Sequence, residues 1–177
     1  SLVGNSMGGA ASMGVAMQYP EAIDRLVLVG GAGHLTPEER PQRSRDAIDV
    51  LSSFDGSREA MYDVVDVLSV TDWYDRDAMV DHRLSNFERA GIQEALTETM
   101  KNAGTMYYDD EEIASIDTRT LVINGREDQV IPPVGAWGLF DLIDDSAVHV
   151  LPDCGHWVMV DQVEWATNII ADFFEHA

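Results

Sequence analysis

An apolar run at the start of the chain meets a serine that lies between two glycines, in the stretch LVGNSMGG that starts at residue 2. Residues 2–5 predict a buried strand, and residues 7–18 predict a helix rich in small side chains. A chain that passes from strand to helix within about two residues holds the residue between them in a strained conformation, with its side chain projecting. We therefore predict that Ser6 projects from such a turn, and that small residues are required two positions before and after it.

Three further apolar runs predict strands, and they alternate with segments of helical periodicity. The run at 26–30 is unbroken, as is typical of a parallel strand that is covered on both faces. The other elements predicted around it are strands at 120–124 and 147–151 and helices at 134–143 and 162–174. Strands that alternate with helices indicate an α/β fold with a parallel sheet flanked by helices.

The middle of the chain, residues 34–116, has a different character. Charged residues are dense there, strand-forming runs are scarce, and helical periodicity recurs at 44–53, 57–70 and 76–100. We predict that this segment is a helical cap, or lid, inserted into a core that is formed by residues 1–33 and 117–177.

Charge and cysteine content limit the partners of this chain. Its 177 residues carry a formal net charge of −21, a field that repels phosphate backbones and anionic lipid, so we expect neither nucleic acid nor a membrane surface as a partner. The single cysteine, Cys154, excludes an intrachain disulfide and a multi-cysteine metal site. No apolar run of the sequence is long enough to span a bilayer. We predict no metal site and a cytoplasmic location.

The serine of the turn has candidate partners later in the chain. A serine becomes a nucleophile when a base takes its proton, and that base needs an acid to orient it. Asp128 follows the strand at 120–124 and His156 follows the strand at 147–151, where open α/β sheets place their sites. The chain order Ser6, Asp128, His156 is the order expected for a serine on a strand-to-helix turn. We predict that these three residues form a catalytic triad.

The helix that follows the serine offers a group for an anionic intermediate. The backbone N–H of Met7 lies at the predicted helix N-terminus, where unpaired N–H groups and the helix dipole favour negative charge. Attack of Ser6 on a carbonyl group places such a charge on the carbonyl oxygen. We therefore predict that the Met7 backbone is an oxyanion donor.

Each member of the triad has an alternative interpretation. A dinucleotide-binding loop needs glycine at the position of Ser6, and a phosphate-binding P-loop needs an adjacent lysine, so neither fits well. Glu127 competes with Asp128, although Asp128 lies nearer the proline-containing turn and could instead be a surface carboxylate that opens a helix. His156 could be a structural histidine, and Cys154 is interpreted as a packing residue.

Three motifs of the chain resemble those of α/β-hydrolases: GNSMGGA at 4–10, GREDQVIP at 125–132 and CGHW at 154–157. More narrowly, they resemble the meta-cleavage product hydrolases, which split carbon–carbon bonds in ring-opened aromatic catabolites. The resemblance implies the α/β-hydrolase fold, a substrate of the 2-hydroxy-6-oxohexa-2,4-dienoate type, no dissociable cofactor and a tendency to form homo-oligomers. The substituent on carbon 6 of the substrate stays open.

The same resemblance implies three substrate-binding residues. The segment VDHRLSNF at 80–87 resembles the cap helix in which these hydrolases carry an arginine that holds the substrate carboxylate, and that arginine corresponds to Arg83. Asn5, directly before the serine, and Trp157, directly after the histidine, are similar to residues of the family. From the residues alone, Arg83 could instead form a surface salt bridge, Asn5 a turn and Trp157 part of the core.

Two further functions fit the same residues. A carboxylesterase would use the same triad, and a non-catalytic ligand-binding module of the hydrolase fold could retain it. Epoxide hydrolases and haloalkane dehalogenases are disfavoured, because they need an aspartate at the position of Ser6.

The α/β-hydrolase fold that this chain resembles normally has several strands before this serine, and the loop after its third strand supplies a second oxyanion N–H. We therefore expect the chain to be the C-terminal part of a longer protein.

Overall fold

The computed structural model describes residues 1–102 and 106–176. Four strands form one parallel sheet in the order β1-β2-β3-β4, and their bounds are β1 Leu2–Asn5, β2 Leu26–Val29, β3 Thr120–Gly125 and β4 Ser146–Leu151. The predicted parallel α/β sheet is confirmed. Because all four strands point the same way, their carboxyl ends lie along one edge of the sheet, where sites of open α/β folds are found.

Helices pack on both faces of the sheet and explain its apolar strands. They are α1 Met7–Gln18, α2 Gln42–Ser52, α3 Arg58–Leu68, α4 Arg76–Phe87, α5 Ile92–Lys101, α6 Asp110–Ala114, α7 Pro133–Leu142, α8 Val158–Asp161 and α9 Val163–His176. In β2, Leu26 and Leu28 are buried in one cluster with α1, α6 and α7, whereas Val27 and Val29 are buried in another with α9. Side chains of a strand alternate between its faces, so a strand covered on both faces is apolar at every position.

Helices α2 to α5 lie in the segment that the sequence predicts as a cap. Buried side chains of α3 and α4 pack against Ile131 and Trp157, which follow β3 and β4. The helical periodicity over 76–100 corresponds to two helices, because residues 88–91 separate α4 from α5. Gly91 lies in this break with a φ of 83°, a left-handed conformation that glycine adopts without steric penalty.

Helix α6 lies within residues 34–116 but packs with the helices of the sheet. Its Ile113 is fully buried in the same apolar cluster as side chains of α1 and α7. A capping box begins the helix, in which the side chains of Asp109 and Glu112 each accept a hydrogen bond from the other's backbone N–H. The division into core and cap stays a prediction, and the packing of α6 associates this helix with the core.

Strand β1 forms one edge of the described sheet and pairs only with β2 among the described strands. Val3, in the middle of this strand, is 52% exposed. Ser6 follows this edge strand directly.

Across residues 1–102 and 106–176, no helix combines the length and the apolar character that crossing a membrane requires.

Candidate active site

The carboxyl ends of the four strands bring together four residues that are far apart in the sequence. Ser6 directly follows β1, and Gly30 directly follows β2. Asp128 lies three residues after β3 and His156 lies five residues after β4. The structure therefore brings all three predicted triad residues to the same edge of the sheet.

The backbone at Ser6 is strained and held by hydrogen bonds. Its φ of 54° and ψ of −121° are rare for a residue with a side chain. The Ser6 N–H donates to the carbonyl oxygen of Val29 at 3.0 Å, and the Ser6 carbonyl accepts from the N–H groups of Gly9 at 2.8 Å and Ala32 at 3.0 Å. These bonds tie the turn to the end of β2, and the predicted strained turn between strand and helix is confirmed.

Glycines around this turn differ in how strictly they are required. A Cβ atom on Gly4 would lie 2.6 Å from Ser12 Oγ and would also collide with the backbone of Gly8. A Cβ atom on Gly8 would meet nothing within 4 Å among the described residues, so the expectation that this position must be small is wrong for the described structure. Gly9 has the tighter surroundings, because its Cβ would lie 2.8 Å from Gly31 Cα at the end of β2.

A buried hydrogen bond joins the predicted base and acid. His156 Nδ1 lies 2.8 Å from Asp128 Oδ2, and both side chains are buried. The other carboxylate oxygen, Asp128 Oδ1, accepts from the N–H groups of Val130 at 2.8 Å and Ile131 at 2.9 Å. The Asp128 carboxylate is thus fixed by its own turn on one side and orients the His156 ring on the other.

Glu127, the competing carboxylate, has a different partner. Its Oε2 accepts from the Cys154 N–H at 3.1 Å, and its Oε1 pairs with Arg126. Burial alone would raise the pKa of Glu127, but the hydrogen bonds from Cys154 and Arg126 outweigh it and lower this pKa below its ordinary value. Glu127 therefore fastens the loop that carries the histidine, whereas Asp128 contacts the imidazole itself.

Gly30 is a site residue that the sequence interpretation did not identify. It has a φ of 50°, and a Cβ atom at this position would lie 3.0 Å from His156 Nδ1 and 3.2 Å from Asp128 Oδ2. A side chain at Gly30 would therefore press on the hydrogen bond between these two residues. The signal was present in the sequence, because an apolar strand that ends directly in glycine often marks a close approach at its carboxyl end.

Cys154 lies two residues before the histidine and is fully buried. Burial, together with the negative charges of Asp161 and Asp128, raises the pKa of its thiol to about 12. The thiolate is the reactive form of cysteine, so the protonated thiol is a poor nucleophile at neutral pH. This agrees with the interpretation of Cys154 as a packing residue.

A cavity of about 840 Å³ extends from the serine turn into the predicted cap. Ser6, Met7 and His156 line one end of it, and most of its wall is apolar, with side chains that include Phe54, Met61, Met79, Phe87 and Ile131. The charged residues that line it are three arginines, Arg40, Arg83 and Arg89, and no carboxylate residue is among the described lining residues. In a chain with a net charge of −21, the charged side chains among the described lining residues of this cavity are thus all positive.

Arg83 lies on α4 and faces this cavity. Its guanidinium carbon lies 4.7 Å from the centroid of the Trp157 ring, a cation–π contact. Its Nε atom is buried and has no hydrogen-bond partner, and no carboxylate pairs with it among the described residues. Burial lowers the pKa of this guanidinium, as expected for a cation without a counter-charge. The geometry therefore does not support the surface salt-bridge interpretation of Arg83.

The other three predicted residues also line the cavity. Trp157 is only 9% exposed, so it is both a core aromatic and the surface on which Arg83 stacks. Asn5 Nδ2 donates one of its two N–H groups to the Val29 carbonyl at 2.9 Å, which leaves its second N–H and its side-chain oxygen for other partners. Met7 begins α1, where the first backbone N–H groups have no partner within the helix.

The known proteins to which this chain is similar are hydrolases. Residues 1–163 match the alpha/beta hydrolase fold family. The chain is 34% identical to a 2-hydroxy-6-oxo-6-(2'-aminophenyl)hexa-2,4-dienoic acid hydrolase of Metapseudomonas resinovorans, over 98% of this chain and 59% of the relative. It is 33% identical to a 2-hydroxy-6-oxo-2,4-heptadienoate hydrolase of Pseudomonas putida, over 97% of this chain and 62% of the relative.

Solved structures of hydrolases are also similar to this chain. A serine hydrolase involved in carbazole degradation superposes with a TM-score of 0.83 at 34% identity, over 99% of this chain and 63% of that one. A variant of the meta-cleavage product hydrolase from Pseudomonas fluorescens IP01 also has a TM-score of 0.83, at 30% identity, over 97% of this chain and 63% of that one. The chain thus spans less than two thirds of the length of these relatives. By its matched residues and its sheet, it belongs to the alpha/beta hydrolase fold family.

Proposed function

We propose that the protein is a serine hydrolase that cleaves a carbon–carbon bond in an anionic 2-hydroxy-6-oxodienoate. In this proposal Ser6 is the nucleophile, His156 is the base and Asp128 is the orienting acid. The 2.8 Å contact between His156 and Asp128 supports the assignment of base and acid. The position of Ser6 on a strained turn in the same cavity supports its role as the nucleophile. To this geometry the proposal adds one chemical step, in which the Ser6 hydroxyl gives its proton to His156.

The positive charge in the cavity is the main reason for proposing an anionic substrate. A protein of net charge −21 repels anions, and a dienoate reaches the serine only where local positive groups offset that field. The cavity supplies such groups in three arginines, of which Arg83 has a buried Nε without a partner. A neutral ester has no charge to pair with this half-buried guanidinium. The names of the two curated relatives, both hydrolases of 6-oxodienoates, point to the same substrate class.

In the proposed reaction, residues of the cavity act in successive steps. The dienol is first ketonised, so that the bond between carbons 5 and 6 can break. Ser6 adds to the carbonyl at carbon 6 as His156 takes its proton, and the resulting oxyanion is stabilised by the Met7 N–H. As this intermediate collapses, the electron pair of the broken bond passes to the carbon-5 fragment, which is stabilised as a dienolate and takes its proton from His156. The carbon-6 acyl group stays on Ser6 until water, activated by His156, adds to it and releases the carboxylic acid and the free serine. Arg83 holds the carboxylate throughout.

The first test compares two substrates with the full-length protein. We expect turnover of 2-hydroxy-6-oxo-6-phenylhexa-2,4-dienoate to exceed that of p-nitrophenyl butyrate, and Ser6→Ala to lower both rates by roughly 10³-fold or more. Much faster cleavage of the ester would favour the carboxylesterase and refute the carbon–carbon hydrolase. Near-normal turnover in Ser6→Ala would refute the triad. Binding of both compounds without turnover of either would indicate a non-catalytic ligand-binding module.

A further inference from the structure

A second buried carboxylate lies beside the histidine, and the proposed chemistry does not use it. Asp161, at the end of α8, is 8% exposed. Its Oδ2 accepts from the Gly155 N–H at 2.6 Å and from the Val70 N–H at 3.2 Å, and its Oδ1 accepts from the Ser69 hydroxyl at 2.5 Å. No arginine or lysine pairs with it among the described residues, so hydrogen bonds alone satisfy this buried charge.

The partners of Asp161 belong to two separate parts of the fold. Gly155 lies directly before His156, whereas Ser69 and Val70 directly follow α3 of the predicted cap. The Trp157 N–H, on the other side of the histidine, donates to the carbonyl oxygen of Leu68 at 2.8 Å. Both neighbours of His156 are therefore held against residues 68–70, one through Asp161 and one directly.

The atoms around Gly155 are close enough to leave little room for a side chain at this position. A Cβ atom there would lie 3.1 Å from the Leu68 carbonyl oxygen and 3.2 Å from Asp161 Oδ2. The Asp128 contact orients the His156 ring through Nδ1, but this contact alone does not fix the peptide groups on either side of the ring. The direction of Nε2, the ring nitrogen that must face the serine, depends on both constraints.

We propose that Asp161 is a positioning residue for His156, which it ties to the cap segment 68–70. This inference rests on the proposed function, in which His156 takes a proton from Ser6. Leu68 and Trp157 both line the cavity, so a bound substrate packs on the immediate neighbours of the residues that this carboxylate bonds, Ser69 and the loop of Gly155. Asp161 touches neither the substrate nor the reacting atoms, and it acts through the backbone of the histidine loop.

The substitution Asp161→Asn tests this role because it keeps the shape of the side chain and removes its charge and one acceptor. We expect kcat for the dienoate to fall by about tenfold to a hundredfold, with little change in KM, because a base displaced by about 1 Å transfers protons poorly. Ser69→Ala, which loses one of the three donors, is expected to show a smaller loss in the same direction. Asp144→Asn makes the same charge change at an exposed residue and serves as the control.

A spectroscopic measurement separates positioning from a loss of stability and from a failure of the proposed function. In protein labelled with ¹⁵N-histidine, we expect Asp161→Asn to shift or broaden the signal of the His156 Nδ1 proton and Asp144→Asn to leave it unchanged. An unchanged histidine signal in Asp161→Asn would overturn the inference, whatever the activity. If that variant fails to fold, an unchanged kcat and an unchanged signal in Ser69→Ala overturn it instead. If the wild type turns over no dienoate or ester, the proposed function fails, and the histidine signal still tests the positioning.

Discussion

Replacement of Arg83 by alanine is the most discriminating perturbation of the cavity. The Arg83 guanidinium stacks on Trp157 at 4.7 Å and has a buried Nε with no partner among the described residues. A substrate carboxylate in this desolvated place would lose its counter-charge in the variant, at a cost of about 2–4 kcal/mol. At about 1.4 kcal/mol for each factor of ten, this predicts a loss in kcat/KM of about 30-fold to 700-fold for the dienoate.

The assay measures kcat/KM for two substrates in the full-length protein. The dienoate carries the carboxylate and p-nitrophenyl butyrate does not, so we expect Arg83→Ala to act on the first and to leave the second nearly unchanged. Arg83→Lys keeps the charge but loses the planar, bidentate geometry of the guanidinium, and an intermediate loss is expected. Arg43→Ala removes the same charge from an exposed position of α2 and controls for the overall field.

Two outcomes would refute this reasoning about Arg83. An equal loss for dienoate and ester would mean that the guanidinium supports the packing of Trp157 and not the substrate. No loss for either substrate would mean that another cation of the cavity, Arg40 or Arg89, holds the carboxylate.

Two further predictions concern the glycines of the site and its cysteine. Gly30→Ala places a Cβ 3.0 Å from His156 Nδ1 at a φ of 50°, and we expect it to lower the free energy of unfolding by about 1–2 kcal/mol and to reduce kcat. Gly8→Ala, its matched control in a helix with free space, is expected to be neutral or to stabilise by up to about 1 kcal/mol in thermal unfolding; a large loss there would contradict the geometry. Cys154, with a thiol pKa raised to about 12, is expected to resist iodoacetamide at pH 8 in the folded protein and to react after unfolding. Rapid labelling of the native protein would refute its burial.

The strands and the first helix were readable from the sequence because burial on both faces leaves a simple pattern. The predicted strand at 26–30 corresponds to β2, and the predicted helix at 7–18 corresponds to α1. The helical periodicity over 76–100 did not show the break between α4 and α5, where Gly91 has a left-handed backbone. Local patterns of apolar residues identify elements well and their interruptions poorly.

The candidate site was predictable where chain order and strand ends sufficed, and not where it depends on contacts between distant segments. Asp128 could be preferred over Glu127 from its place near the proline turn, and the structure joins Asp128 to His156. The glycine after β2, Gly30, signals a close approach but not the atoms that make it, and nothing in the sequence pattern signals the role inferred for Asp161. The role of each residue depends on which atoms of a remote loop lie within about 3 Å of it, and local sequence patterns do not specify such contacts.

Under the proposed function, these contacts connect the predicted cap to the residues that carry out the chemistry. The Val130 carbonyl, in the turn that orients the acid, accepts from Arg40 at 3.0 Å and from the Ser44 hydroxyl at 2.7 Å, and both donors lie in the predicted cap segment. On the other side, Asp161 and the Leu68 carbonyl hold the histidine loop to α3. The proposed acid and base are thus each fastened to a different part of the predicted cap. A change that loosens the cap should therefore slow proton transfer for every substrate, including small neutral esters that need no lid to retain them.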